Sequence, residues 1–113
     1  MLGNVTFLEL GTADADVSKT QAFFSDIFGW TFNAMPQGGG WFQAPTMRVG
    51  LHPNDTHPQI YVFFEVSDLE QAMNAVSEAG GEAEAPTDEP GFGRFSICRD
   101  PQGIPFGLHQ RTG

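Results

Sequence analysis

From Asn4 to Gly11 the run Asn-Val-Thr-Phe-Leu-Glu-Leu-Gly is dense in residues that suit a pleated sheet and closes on glycine, which predicts a strand with two largely apolar faces. Val17, Thr20, Phe24 and Ile27/Phe28 then recur at helical spacing behind Asp16 as an N-cap, and Gly29 stands where a left-handed C-cap is wanted. The spacing predicts a helix over 17–28. Trp30–Met35 reads as a second strand, the Gly38-Gly39-Gly40 run as a turn, and Trp41–Gln43 and Met47–His52 as short strands around an Ala44-Pro45 turn.

Pro53 to Pro58 has linker composition, after which the order begins again. Ile60–Val66 predicts a strand. Ser67 with Glu70, or Asp68 with Gln71, makes a capping box ahead of the apolar stripe Leu69, Ala72, Met73, Val76 and Ala79, and Gly80-Gly81 ends that helix. A strand near Glu82–Ala85, a mobile loop over Glu89–Gly93, and strands over Arg94–Arg99 and Pro105–Gln110 complete the chain. Helix starts Asp16 and Asp68, turn prolines Pro45 and Pro101, and a repeated Gly-Leu-His at 50–52 and 107–109 recur at nearly one spacing. The pattern therefore predicts an α+β fold with pseudo-twofold symmetry: one domain over 1–113, made of two βαβββ modules at about 1–53 and 58–113. In it, curved mixed sheets enclose a cleft and the helices lie outside.

Composition narrows the function classes. The 113 residues carry 14 acidic against 5 basic side chains, a formal net charge of -9. Lys19, Arg48, Arg94, Arg99 and Arg111 are too few and too scattered for a phosphate-binding patch, which excludes nucleic acid, and the acidic surplus disfavours anionic membranes. Cys98 is the single cysteine, so no intrachain disulfide forms; its place in the alternating Arg94–Arg99 run suits a packed thiol rather than a nucleophile. The start at Met1-Leu2 lacks a targeting pattern and no apolar run is long enough to span a bilayer, which points to the cytoplasm.

Three stretches resemble a known superfamily. Asp16 to Trp30, ending Phe-Phe-Ser-Asp-Ile-Phe-Gly-Trp, is similar to a helix that closes on Leu-Gly-Phe or Phe-Gly-Trp. Val62-Phe-Phe-Glu-Val-Ser-Asp-Leu-Glu70, then Ala79-Gly-Gly81, then Arg99-Asp-Pro-Gln-Gly-Ile-Pro-Phe-Gly-Leu-His-Gln110 resemble the ordered motifs of the vicinal-oxygen-chelate superfamily of glyoxalase-like, bleomycin-resistance-like and extradiol-dioxygenase-like proteins. The resemblance covers nearly the whole chain. It implies a divalent metal held by side chains of the first and last strand of each module, at positions that fall on Glu9, Tyr61, Gly50 and Gly107. Glycine has no side-chain donor and tyrosine is an uncommon ligand, so the usual four-ligand site is missing.

Strand alternation turns Phe7, Glu9, Arg48, Gly50, His52, Tyr61, Phe63, Gly107 and His109 into the expected cleft, and Leu8, Leu10, Val49, Leu51, Val62, Phe64, Phe106 and Leu108 under the helices. Glu9 is a candidate catalytic base, or a carboxylate paired with Arg48 across adjacent strands. Phe7, Arg48, His52, Tyr61, Phe63, Phe92, His109 and Trp41 are candidate ligand-binding residues, the aromatic ones as stacking surfaces or as core. Two function classes follow. One is a homodimer, or a monomer with one closed cleft, that binds a small aromatic or oxygen-rich molecule with no cofactor. The other is a lyase, isomerase or dioxygenase that uses Glu9, His52 and His109 for acid-base work or to hold a shifted divalent metal. An accessory subunit with a self-filled cleft is a third.

Overall fold

The structure, a computed structural model, describes residues 3–36 and 38–111; Met1 and Leu2, on which the reading of the chain's start fell, lie outside them. Among the described residues the order is β1 (Val5–Gly11), α1 (Ser18–Phe28), β2 (Thr31–Ala34), β3 (Gly40–Gln43), β4 (Arg48–His52), β5 (Gln59–Glu65), α2 (Leu69–Glu78), β6 (Glu82–Ala83), β7 (Thr87–Glu89), β8 (Gly93–Arg99) and β9 (Pro105–Gln110). This is the α+β class, with the βαβββ order twice and one further strand, β7, in the second pass. The chain divides into two compact units, Phe7–Tyr61 and the stretch from Val62 onward together with the residues up to Thr6.

In the Phe7–Tyr61 unit, β2, β3 and β4 pair antiparallel and β4 pairs parallel with β1, in a register that sets Phe7 against Arg48, Glu9 against Gly50 and Gly11 against His52. The two faces of these strands then diverge as period-two alternation requires. Leu10, Phe42, Ala44, Val49 and Leu51 form the buried core on one face, with Leu8, Val17, Phe24, Trp30 and Phe32 packed against it. That is the face expected under the helix. α1 starts at Ser18 with Val17 as its N-cap, and Asp16 still accepts the Ser18 N–H at 2.9 Å; Gly29 ends it at φ 72° and donates to the Ser25 carbonyl. The helix itself has no buried residue: Phe24 faces the core, whereas Ile27 and Phe28, placed in the same stripe by their spacing, stand exposed.

In the other unit β9 lies between β5, parallel, and β8, antiparallel, and β8 also carries β6 and β7. Val66, Leu69, Ala72, Cys98 and Leu108 make its core, with Phe64, Met73, Val76, Ala83 and Phe106 packed on it. Asp68 accepts the Gln71 N–H at 3.2 Å, which selects the second of the two capping boxes, and Gln110 accepts the Leu69 N–H at 2.7 Å from across the fold. The Cys98 thiol is buried and burial pushes its pKa up, as fits a packed side chain. β7 was not visible in the apolar pattern because Thr87, Asp88 and Glu89 are polar and exposed; it forms as a hairpin arm against Gly93–Phe95, with Asp88 on the Arg94 guanidinium at 2.9 Å. No helix among the described residues is long and apolar enough to cross a membrane.

Phe42 is 0% exposed and touches Phe24, Trp30 and Phe32 within ring-centroid distances of 5.0 to 6.2 Å. Phe42→Ala should therefore lose about 3–5 kcal/mol in urea unfolding; a loss under about 1 kcal/mol would mean that this core is not organised around it.

Candidate functional site

On the face of the Phe7–Tyr61 unit opposite its core, the register puts a carboxylate, an imidazole and two glycines side by side. His52 Nδ1 lies 3.0 Å from Glu9 Oε1, and His52 Nε2 lies 3.2 Å from Asp55 Oδ2. Both partners are acceptors, so one ring satisfies both only as an imidazolium with an N–H on each side. The Glu9 hydrogen bond accordingly raises the His52 pKa above its ordinary value, against the opposing pull of burial, with Asp55 adding to the rise. Asp55 also accepts from the Gln59 side chain at 3.1 Å and, through its other oxygen, from the Thr56 N–H at 2.9 Å. Burial pushes the Asp55 pKa up, but these hydrogen bonds and His52 outweigh it and hold the carboxyl below its usual value.

The glycines make this cluster sterically feasible. A Cβ at Gly50 would overlap Glu9 Oε2 and stand 2.8 Å from Phe7 Cζ, and a Cβ at Gly11 would overlap Asp55 Oδ2 and stand 2.9 Å from His52 Nε2. Gly50 is thus a site of close approach rather than a bulge, since β1 and β4 stay in continuous register through it. Beside it the Arg48 guanidinium lies 3.9 Å over the Trp41 ring. Glu9 therefore takes His52 as its charge partner, where pairing with Arg48 was one of the two expectations. An open pocket of about 530 Å3 adjoins the cluster through Gly11 and Gln59 and runs along the start of α1, past Asp16, Lys19 and Phe24.

The other unit holds a second arrangement. Register sets Phe63 opposite Gly107 and Phe95 opposite His109, and the Phe63 ring fills the space a Gly107 Cβ would take. Phe63, Phe92 and Phe95 meet at centroid distances of 5.8 to 5.9 Å, and His109 stacks on Phe92 at 3.7 Å. His109 Nε2–H donates to the Phe92 carbonyl at 2.6 Å, which fixes the neutral tautomer, while Nδ1 is buried without a hydrogen-bond partner among the described residues. Burial pushes the His109 pKa down.

Sequence reasoning singled out Glu9, His52, Arg48 and Trp41, which meet on one face of the first unit, and Phe63, Phe92 and His109, which meet in the second. Tyr61 is buried. It missed Asp55, hidden in the Pro53–Pro58 stretch, where Asn54 at φ 61° turns the chain back toward β1, and Gln59 at the start of β5; a carboxylate three residues after His52 was the available signal. It also missed Phe95. Of the four positions the resemblance assigns to a metal, Glu9 and Tyr61 carry oxygen and Gly50 and Gly107 carry no side chain, and the space beside the two glycines holds the Glu9 carboxylate and the Phe63 ring.

Comparison with known proteins fits this geometry into a family. The sequence family described as a glyoxalase-like domain matches residues 10–109. CFP32 of Mycobacterium bovis, provisionally named a glyoxylase, is 27% identical over 121 residues, covering 96% of this chain and 46% of its own length. The anthracycline biosynthesis protein DnrV of Streptomyces peucetius is 28% identical over 132 residues, covering 96% of this chain and 47% of its own. The chain thus spans about half the length of the curated relatives it matches. Among solved structures, methylmalonyl-CoA epimerase from Mycobacterium tuberculosis aligns with a TM-score of 0.74 at 14% identity, over 99% of this chain and 90% of that one. Homoprotocatechuate 2,3-dioxygenase from Brevibacterium fuscum, in complex with 3,4-dihydroxyphenylacetate, gives 0.76 at 19% identity, over 98% of this chain and 37% of that one. At these identities the structural likeness speaks for the fold.

Two measurements test the site. His52 has a raised folded pKa, so its contribution to stability is fully present below about pH 6.5 and fades as pH rises through the folded value. His109, with a lowered pKa, acts in the opposite sense and weakens the fold as pH falls below about 6.5. His52→Gln should therefore destabilise most near pH 5 and least near pH 9 in thermal unfolding; a pH-independent deficit would contradict the carboxylate clamp. Gly50→Ala should push the Glu9 carboxylate off His52 and so lower the His52 pKa, whereas an unchanged His52 titration would show that the Glu9 carboxylate does not lie over Gly50.

Proposed function

The chain belongs to the glyoxalase-like domain family of the vicinal-oxygen-chelate superfamily, and from that premise we propose that it is a small-molecule-binding protein of the glyoxalase and bleomycin-resistance type that works without the usual four-ligand metal site. In this reading the two units are the modules of one glyoxalase-like domain, and the ligand is a small aromatic or oxygen-rich molecule. The observation that carries the reading is the occupation of Gly50 and Gly107: the room for two last-strand metal ligands is taken by the Glu9 carboxylate and the Phe63 ring.

What remains on those faces suits recognition of oxygen and of flat rings. Glu9, oriented by His52, offers an acceptor to hydroxyl groups, and Arg48 on Trp41 adds a cationic, planar surface for carboxylates and rings. Phe7 borders the same strip; Phe63, Phe92 and His109 supply aromatic surface in the second unit. The relative named for anthracycline biosynthesis supports an aromatic, oxygenated ligand.

A second reading has one specific observation in its favour, the imidazole held between two carboxylates. Glu9 and His52 are within 3.0 Å and can pass a proton between them, which suits acid-base work on a carbonyl compound.

Calorimetric titration with a panel of catechols and hydroxyquinones, with and without EDTA, tests the proposal. Binding that EDTA leaves unchanged and that Glu9→Gln or Arg48→Ala weakens roughly tenfold or more is expected for lost charge-assisted contacts. A stoichiometric divalent ion whose removal abolishes binding would overturn it, and turnover lost in Glu9→Gln would favour the second reading.

A further inference from the structure

Among the described residues, His109 Nδ1 is a buried acceptor with no hydrogen-bond donor, on a residue that is only 5% exposed. Buried polar atoms are nearly always paired, and an acceptor left alone among apolar groups costs free energy. The direction of this one is fixed. Nε2–H donates to the Phe92 carbonyl at 2.6 Å, and the Phe92 ring lies parallel to the imidazole at 3.7 Å, so the imidazole cannot turn without losing one contact or the other. Burial, which pushes the His109 pKa down, keeps Nδ1 a lone pair rather than an N–H. The nitrogen is a preorganised acceptor aimed one way.

The surroundings decide which donor suits it. Phe95 stands opposite His109 in the β8–β9 register, and Phe63 meets both Phe92 and Phe95 edge to face. Glu65, whose charge reaches His109, is paired with Arg111 at 3.0 Å. An ammonium group or a metal ion here would therefore be buried without a counter-charge, whereas a neutral hydroxyl on a flat ring satisfies the nitrogen and packs its ring against phenyl groups. Access lies at the hairpin tip, where Phe92 sits between Gly91 at φ 82° and Gly93 at φ 123°, beside the exposed strand β7. An arm with so little burial opens at low cost. We propose that His109 is the specificity-determining residue of this unit: its Nδ1 accepts a hydrogen bond from a neutral hydroxyl on an aromatic ring that enters under the Phe92 tip and packs among Phe63, Phe92 and Phe95. The inference rests on the reading of the chain as a binder of small aromatic or oxygen-rich molecules, and narrows it to phenols and catechols rather than their ethers.

Calorimetric titration of the wild type with three probes of similar shape tests it: catechol, ortho-phenylenediamine, which keeps hydrogen-bond donors, and ortho-difluorobenzene, which has none. Catechol and the diamine should bind roughly tenfold or more tightly than the difluoride, because a ring without a donor leaves the nitrogen unpaired. In protein with nitrogen-labelled histidine, the His109 Nδ1 resonance should move upfield with catechol and the diamine and stay in place with the difluoride. His109→Phe, which keeps a ring against Phe92 and has no acceptor, should bind the three probes alike; if that variant does not fold, the labelled wild type decides alone. A preference for catechol that survives His109→Phe would overturn the inference, as would a His109 Nδ1 resonance that catechol binding leaves unmoved, and either result leaves the wider binding reading standing. Failure of all three probes to bind the wild type would overturn the inference too, while the catechol and hydroxyquinone panel with Glu9→Gln and Arg48→Ala judges the reading beneath it separately.

Discussion

The parallel register between β1 and β4 places a glycine opposite Glu9 and another opposite His52, and the polar face of the Phe7–Tyr61 unit follows from that pairing. Adjacent strands stand only about 4.8 Å apart, so a carboxylate can lie flat across its neighbour only where that neighbour lacks a Cβ. Gly50 gives that room to Glu9, and Gly11 gives it to Asp55 and His52. Were the register one residue different, Glu9 would face the core and Leu8 and Leu10 would face outward. The buried cluster of Leu10, Val49 and Leu51 prevents that slip. Hydrophobic burial on one face thus fixes the electrostatics on the other.

The second unit uses the corresponding glycine to a different end. Gly107 admits the Phe63 ring instead of a carboxylate, and the result is an aromatic cluster closed by a neutral histidine rather than a charged one. His52 and His109 occupy matching places in the repeat, two residues after a glycine, yet their environments push their pKa values in opposite directions. Flanking acceptors favour the cation in one case; burial beside phenyl rings disfavours it in the other. Two positions alike in sequence thus carry different chemistry.

Much of this was legible in the sequence. The alternation that separates Leu10, Val49 and Leu51 from Glu9, Gly50 and His52 is local and strict, as are the Asp68–Gln71 cap and the Gly29 terminator, so those readings agree with the structure. The Pro53–Pro58 stretch hid Asp55, because a hydrogen bond from a loop depends on how Asn54 turns the backbone, and composition carries no such angle. The choice of Glu9 between Arg48 and His52 was equally out of reach. Arg48 sits across from Phe7 and finds Trp41 on the next strand, a competition among through-space partners that no periodicity encodes. Ile27 and Phe28 shared their spacing with Phe24 but not its burial, since α1 meets the sheet along a narrower stripe than its apolar residues span.

The two polar clusters differ most in the protonation of their imidazoles. Long-range nitrogen–proton correlation spectra of the selectively labelled histidines, recorded across the neutral pH range, read those states directly. His52 should remain doubly protonated to a pH above the ordinary histidine value of about 6.5, and His109 should persist as the Nε2–H tautomer to well below it. A His52 that titrates at or below that value, or a His109 that carries its proton on Nδ1, would contradict the arrangement of strands, glycines and carboxylates described here.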